Sequence, residues 1–196
     1  MDWFVNSLFI MIGAVFAENL VLTGGLGSGQ MFRTGKKPEH LTSYGILMSG
    51  FIITTSIITW PFSNLLGYGT LGIISRPIAF ILVVSALYIA LVLIMKKRFS
   101  ARYEKISKII KNSAFNCVVV ACPYIISTRA YDLGQAVFFA IGASVGFMLA
   151  ILFVSEVLKT ISNEDMPKAF RGLPIALIYI GILSLALLGI SGKGIF

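Results

Sequence analysis

Glu18-Asn19-Leu20-Val21-Leu22-Thr23-Gly24-Gly25-Leu26-Gly27-Ser28-Gly29-Gln30 joins an apolar run to a glycine-rich one. It ends an apolar run that starts at Trp3 and reaches Leu22, about the 20 residues a bilayer-spanning helix needs. From Gly24 to Phe32 the chain stays apolar enough for the bilayer, yet is too glycine-rich for a stable helix. Irregular backbone at membrane depth persists only where protein or a lined cavity satisfies its polar groups. The stretch therefore reads as a broken transmembrane helix and as one wall of a candidate site.

The rest of the chain agrees. Of 196 residues, 57% are hydrophobic and only 12% charged, with a mean hydropathy of +0.92. A soluble domain carries roughly a quarter charged residues. Half that charge cannot solvate a globule of this size, so the chain reads as all-α and integral to a membrane. That excludes a secreted disulfide scaffold, a cytosolic dinucleotide-binding enzyme and a nucleic-acid module, despite a pI near 9.7. Six spans fit: Trp3–Leu22, Ser43–Trp60, Ile73–Met95, Ser113–Ile126, Leu133–Leu158 and Gly172–Ile190. The first is not a signal peptide, because Asp2 replaces a basic leader and no small-residue cleavage site follows. Residues 1–196 read as one membrane domain.

Cationic residues set the orientation. Arg33, Lys36 and Lys37 lie in loop 1–2, seven lysines and arginines from Lys96 to Lys111 in loop 3–4, and Lys159, Lys168 and Arg171 in loop 5–6. The other face has Arg76, Arg129 and Lys193. Thirteen against three places both termini outside a cytoplasmic (inner) membrane by the positive-inside rule. The net charge of +8 reports this orientation, not a polyanionic partner. The amphipathic run Lys96–Lys111 is better read as a topology signal than as a headgroup-binding site.

An offset of 97 residues aligns Asn19 with Asn116, Gly45 with Gly142, and Pro77-Ile78-Ala79 with Pro174-Ile175-Ala176. Three spans per half is an odd number, so halves 1–97 and 98–196 would cross in opposite senses. The expectation is two inverted three-helix repeats, with the first helix of each broken and the site where the breaks meet. Span four, with Asn116 and Pro123, is the partner break. Asn19 and Asn116 suit helix-break caps, since an amide satisfies donors and acceptors alike. Glu18, an intramembrane carboxylate, marks an ion path by default, or else caps Gly24-Gly25 or meets Lys36. Gly25, Gly27 and Gly29 line the same candidate path. Cys117 and Cys122 are the two cysteines; five residues on a helix set them about 140° apart. Small buried apolar residues is the ordinary reading of such thiols, and a metal reading needs ligands from a second subunit. His40 reads as solvated. No Walker loop, dinucleotide fingerprint or hydrolase triad occurs, so no complete active site lies in this chain alone.

These residues resemble the six-span membrane subunits of the Rnf/Nqr family, Rnf A-type and Nqr E-type above all. The resemblance rests on Glu18-Asn19-Leu20-Val21-Leu22, Arg76 with Ala79–Val83, Asn116-Cys117, Val145-Gly146-Phe147, and the tail Phe170-Arg171-Gly172 through Ile175–Ile178, Ser184-Leu185-Ala186 and Gly189. It implies a membrane component of a complex that couples electron transfer to Na⁺ or H⁺ transport. The implied partners are a paralogous six-span subunit of opposite orientation, other membrane and peripheral redox subunits, and the lipid bilayer. It also implies a 2Fe–2S cluster shared between the paired subunits, each giving one cysteine from its glycine-bearing segment and one from Asn-Cys. Cys117 inherits the second role. The first falls on Gly29, where the family's Gly-x-Cys-Pro-Phe reads Gly27-Ser28-Gly29-Gln30-Met31, and glycine cannot ligate iron; Cys122 is the candidate substitute. Departure at that position leaves an alternative, a cluster-free inverted-repeat transporter or permease for an ion or small molecule.

Overall fold

The computed structural model describes residues 2–30, 41–65, 70–98, 100–160 and 173–191. Among them there is no strand. The helices are α1 (Asp2–Val15), α2 (Leu41–Leu65), α3 (Thr70–Arg98), α4 (Ser100–Ala114), α5 (Cys117–Thr128), α6 (Leu133–Thr160) and α7 (Leu173–Ser191). Helices are what an apolar chain must form in lipid, because each satisfies its own backbone N–H and C=O groups. Four stretches are long and apolar enough to cross a membrane: Leu41–Ser63, Ile74–Arg98, Ile106–Thr128 and Leu133–Leu158. Trp3–Val15 and Pro174–Gly189 are shorter apolar helices.

Two boundaries differ from the sequence expectation. The first helix stops at Val15, not Leu22, and the chain turns through residues 16–27. At 14 residues, α1 is about 21 Å long. The fourth apolar stretch begins at Ile106, ahead of the expected Ser113, and is split between α4 and α5 at Phe115-Asn116. Charges at Glu104, Lys108 and Lys111 hid its first turns. They occupy the exposed face of α4, while Ile109, Ile110 and Ala114 are buried on the other. Arg33, Lys36, Lys37, His40, Lys168, Arg171 and Lys193 lie outside the described residues.

Helix α6 is the packing centre, with its broadest contacts to α1 and α2. Ala136, Ala140, Ala143 and Ala150 on it are buried, and small residues let helix backbones approach closely without a hydrophobic drive from lipid. A Cβ at Gly142 would run into the Met11 carbonyl oxygen, and one at Gly146 would stand 2.9 Å from Asn19 Nδ2. Gly134 likewise lies under the Trp3 ring. These contacts run α1 parallel to α6 and hold the start of the first break against it. Helix α2 packs on α5 and α6 as well, burying Tyr44, Met48 and Ile52. Large apolar residues stay exposed on the outside of the bundle, including Leu82 and Leu93 on α3 and Ile182 and Leu185 on α7.

Candidate functional site

The first break is built around one amide. Asn19, 2% exposed, donates through Nδ2 to the carbonyls of Val15 (2.9 Å) and Gly146 (3.0 Å). Its Oδ1 accepts from the Val21 and Leu22 amides, each at 3.1 Å. Both donors and both lone pairs of the side chain are thus used. They satisfy the Val15 carbonyl left over at the end of α1 and the amides of the turn after it, and they tie the turn to the Gly146 carbonyl inside α6. Its own carbonyl accepts from the Thr23 amide (2.9 Å) and hydroxyl (2.6 Å). The chain then passes Gly25 and Gly27 at φ of 67° and 74°, a left-handed backbone that favours glycine.

Asn116 serves the second break in the same way. It is the N-cap of α5 in extended conformation, and its Oδ1 accepts from Val118 N at 3.1 Å. Its Nδ2 donates to the Tyr44 hydroxyl at 2.9 Å, which ties the break to α2. Sequence reasoning had no signal for Tyr44, because that contact spans 72 residues.

The two breaks meet. The Gly27 amide donates to Cys117 Sγ at 2.9 Å, and a Cβ at Gly27 would lie 2.7 Å from Asn116 Oδ1. Cys117 is exposed and opens on two cavities. One, of about 560 Å³, lies between Gly25–Gln30 and Phe115–Cys117. The other, about 510 Å³ and almost wholly apolar, runs between Pro77, Ile81 and Val84 of α3 and Val120, Ala121 and Tyr124 of α5. The positive end of the α5 dipole faces the first of these. Gly25, Gly27, Gly29, Asn116 and Cys117 are therefore brought together.

Cys122 and Glu18 are not. Cys122 is fully buried and accepts from the Ser56 hydroxyl of α2 at 3.6 Å, outside both cavities. The continuous helix from Cys117 to Cys122 keeps the two thiols on different faces, as their spacing requires. Glu18 forms an ion pair with Arg129 at 2.6 Å, both side chains partly exposed. Arg129 follows the end of α5 and also donates to the Tyr131 hydroxyl at 3.1 Å. Lys36, the partner expected for Glu18 from the sequence, lies outside the described residues. The buried cation Arg76 donates to the Ser63 carbonyl at 3.4 Å.

A 2Fe–2S cluster divided equally between two subunits needs two thiolates from each. The cavity walled by both breaks presents one, Cys117. Cys122 points away into α2, and Gly29 has no side chain. Among the described residues, no three His, Cys, Asp or Glu side chains converge as a ligand set. The donors of this chain do not fit the two-thiolate role.

Comparison with known proteins identifies the scaffold. Residues 7–193 match the family model described as Rnf-Nqr subunit, membrane protein. The A-type component of the Na(+)-translocating ferredoxin:NAD(+) oxidoreductase complex of Acetobacterium woodii is 31% identical, covering 94% of this chain and 96% of that one. The A-type component of the ion-translocating oxidoreductase complex of Syntrophotalea carbinolica is 30% identical, covering 95% and 97%. The E-type component of the Na(+)-translocating NADH-quinone reductase of Hahella chejuensis is 27% identical, covering 96% and 98%. A match of this extent, over a chain whose interrupted helices meet at Asn116-Cys117, makes the protein a member of the Rnf-Nqr family of membrane subunits.

Proposed function

We propose that the chain is the A-type or E-type membrane component of an ion-translocating electron-transport complex. The observation that carries this reading is near-full-length similarity to such components from both ferredoxin-linked and quinone-linked systems. The reading extends to six spans, α1 and α7 being the outermost pair, in two inverted halves, 1–97 and 98–196. Its support is that Asn19 and Asn116 occupy the same place in each half, and each caps an interrupted helix with its side-chain amide. The lysine and arginine asymmetry supports outside termini in the cytoplasmic membrane. A paralogous six-span subunit of opposite orientation would complete the site.

In this role the chain's own residues act as scaffold. Asn19 and Asn116 hold two breaks open inside the bilayer. Gly25 and Gly27 let one backbone lie against the other, and the cavity between them is where a coupled Na⁺ or H⁺ would pass. Glu18 and Arg129 hold the turn after α1 to the end of α5. The second reading, a transporter or permease working without a cluster, draws on the single thiol in that cavity. Affinity purification through this chain from its own cell membranes separates the two. The complex reading expects a paralogous six-span subunit and redox subunits in constant ratio to the chain. The chain purifying alone, and moving an ion without an electron donor, would favour the permease.

A further inference from the structure

Three glycines face Cys117, but only two of them are required by the backbone. Gly25 and Gly27 have left-handed φ values, and a side chain on Gly27 would collide with Asn116. Gly29 is different. Its φ is not in the left-handed range, and a Cβ built on it meets nothing within 4 Å. It nevertheless lines the same cavity as Cys117. Neither turn geometry nor packing among the described residues accounts for glycine there.

We infer that position 29 is an emptied ligand position: the cavity keeps the frame for two thiolates, but this chain supplies one, so it does not carry its half of an evenly shared iron–sulfur cluster. This rests on the reading of the chain as part of an Rnf-Nqr complex. Loss of one thiolate from a four-thiolate site removes or alters the cluster, while the surrounding hydrogen bonds that orient ligands remain, here from Gly27 N to Cys117 Sγ. Cys122 does not take over, since it is sealed against Ser56.

The experiment has two arms on the intact complex, prepared without oxygen. In the first, iron and acid-labile sulfide are compared between wild type and C117S. Equal amounts are expected, and loss of about two iron atoms per chain on C117S would overturn the inference. In the second, G29C is treated with diamide. Each azo group takes two electrons and two protons from two thiols and becomes a hydrazine as the S–S bond forms. Thiols of this chain, titrated after denaturation, should fall from three to one in G29C and stay at two in wild type. Three thiols persisting in the treated G29C protein would refute the preserved frame. G29S should assemble at the wild-type level and form no crosslink, which separates a folding defect from absent geometry; failure of G29S to assemble would itself contradict the open space at this position. Copurifying redox subunits report on the complex reading separately. Their absence would remove that reading and leave the crosslinking result standing.

Discussion

Replacing Gly27 by alanine adds one methyl group where the two interrupted helices touch. The left-handed φ of 74° costs an L-residue about 1–2 kcal/mol. The new Cβ would lie 2.7 Å from Asn116 Oδ1 and 3.1 Å from Val118 Cγ2, so Asn116 must move. That side chain is buried and bonded to Val118 N and the Tyr44 hydroxyl. Losing one such buried bond costs about 1–3 kcal/mol. Lower entropy of the unfolded chain returns about 0.4–1 kcal/mol, leaving a net loss of about 1–5 kcal/mol. For a chain of this size that is roughly 2–20 °C in Tm. Gly29→Ala is the internal control: with no left-handed φ and no atom within 4 Å of its Cβ, its Tm should equal wild type or rise slightly. The assay is thermal unfolding of both variants in one detergent at one scan rate, followed by near-UV circular dichroism. Equal Tm values for the two variants would refute the claim that the breaks press together at Gly27.

Further expectations follow from the same contacts. Asn19→Ala deletes four hydrogen bonds and should destabilise by about 2–4 kcal/mol, seen as a lower Tm and faster amide exchange at Val21 and Leu22; unchanged exchange there would contradict the capping role. Ala130 stands at φ 51° just past α5, with Tyr131 N bonded to Ile126 O and Ala130 N to Ser127 O, the arrangement in which glycine is favoured. Ala130→Gly should therefore raise stability by about 0.5–1 kcal/mol, and a decrease would argue against the left-handed cap. At the opposite end of α1, the Gln135 amide, and after it the Trp3 indole, hold the Asp132 carboxylate below its ordinary range. A depressed carboxylate contributes stability above its unfolded pKa of about 3.9 and loses it as pH falls through the lower folded value. Trp3 emission in a Trp60→Phe background should change only below that unfolded value, and a transition above it, or the same transition in Asp132→Asn, would exclude this assignment.

What the sequence made legible was the chemistry of the breaks. Asparagine and glycine cannot hide in an apolar span, so Asn19, Asn116, Gly25 and Gly27 stood out by type alone. The end of α1 was not legible, because Phe16, Leu20, Val21 and Leu22 have the hydropathy of a helix whether or not they form one. What stops the helix is Asn19 engaging Gly146 of α6, a contact across 127 residues. The early start of the fourth apolar stretch was masked by Lys108 and Lys111, whose charges lower the local average although they lie on the outward face of an amphipathic helix. The Glu18–Arg129 pair joins two separate turns, and local spacing carries no record of it. Cys117 and Cys122 were separable by helical angle, but only the fold says that Cys117 faces the cavity.

Donor-driven ion uptake shows whether this chain works in an ion-translocating complex. Inverted membrane vesicles from cells lacking this chain, and from the same cells supplied with it, would be energised with reduced ferredoxin or NADH while Na⁺ uptake and acidification are followed. Uptake that is absent without the chain and restored by it is the predicted result. Equal uptake in both preparations, with the other subunits present in equal amounts, would contradict a role for this chain in the translocating complex.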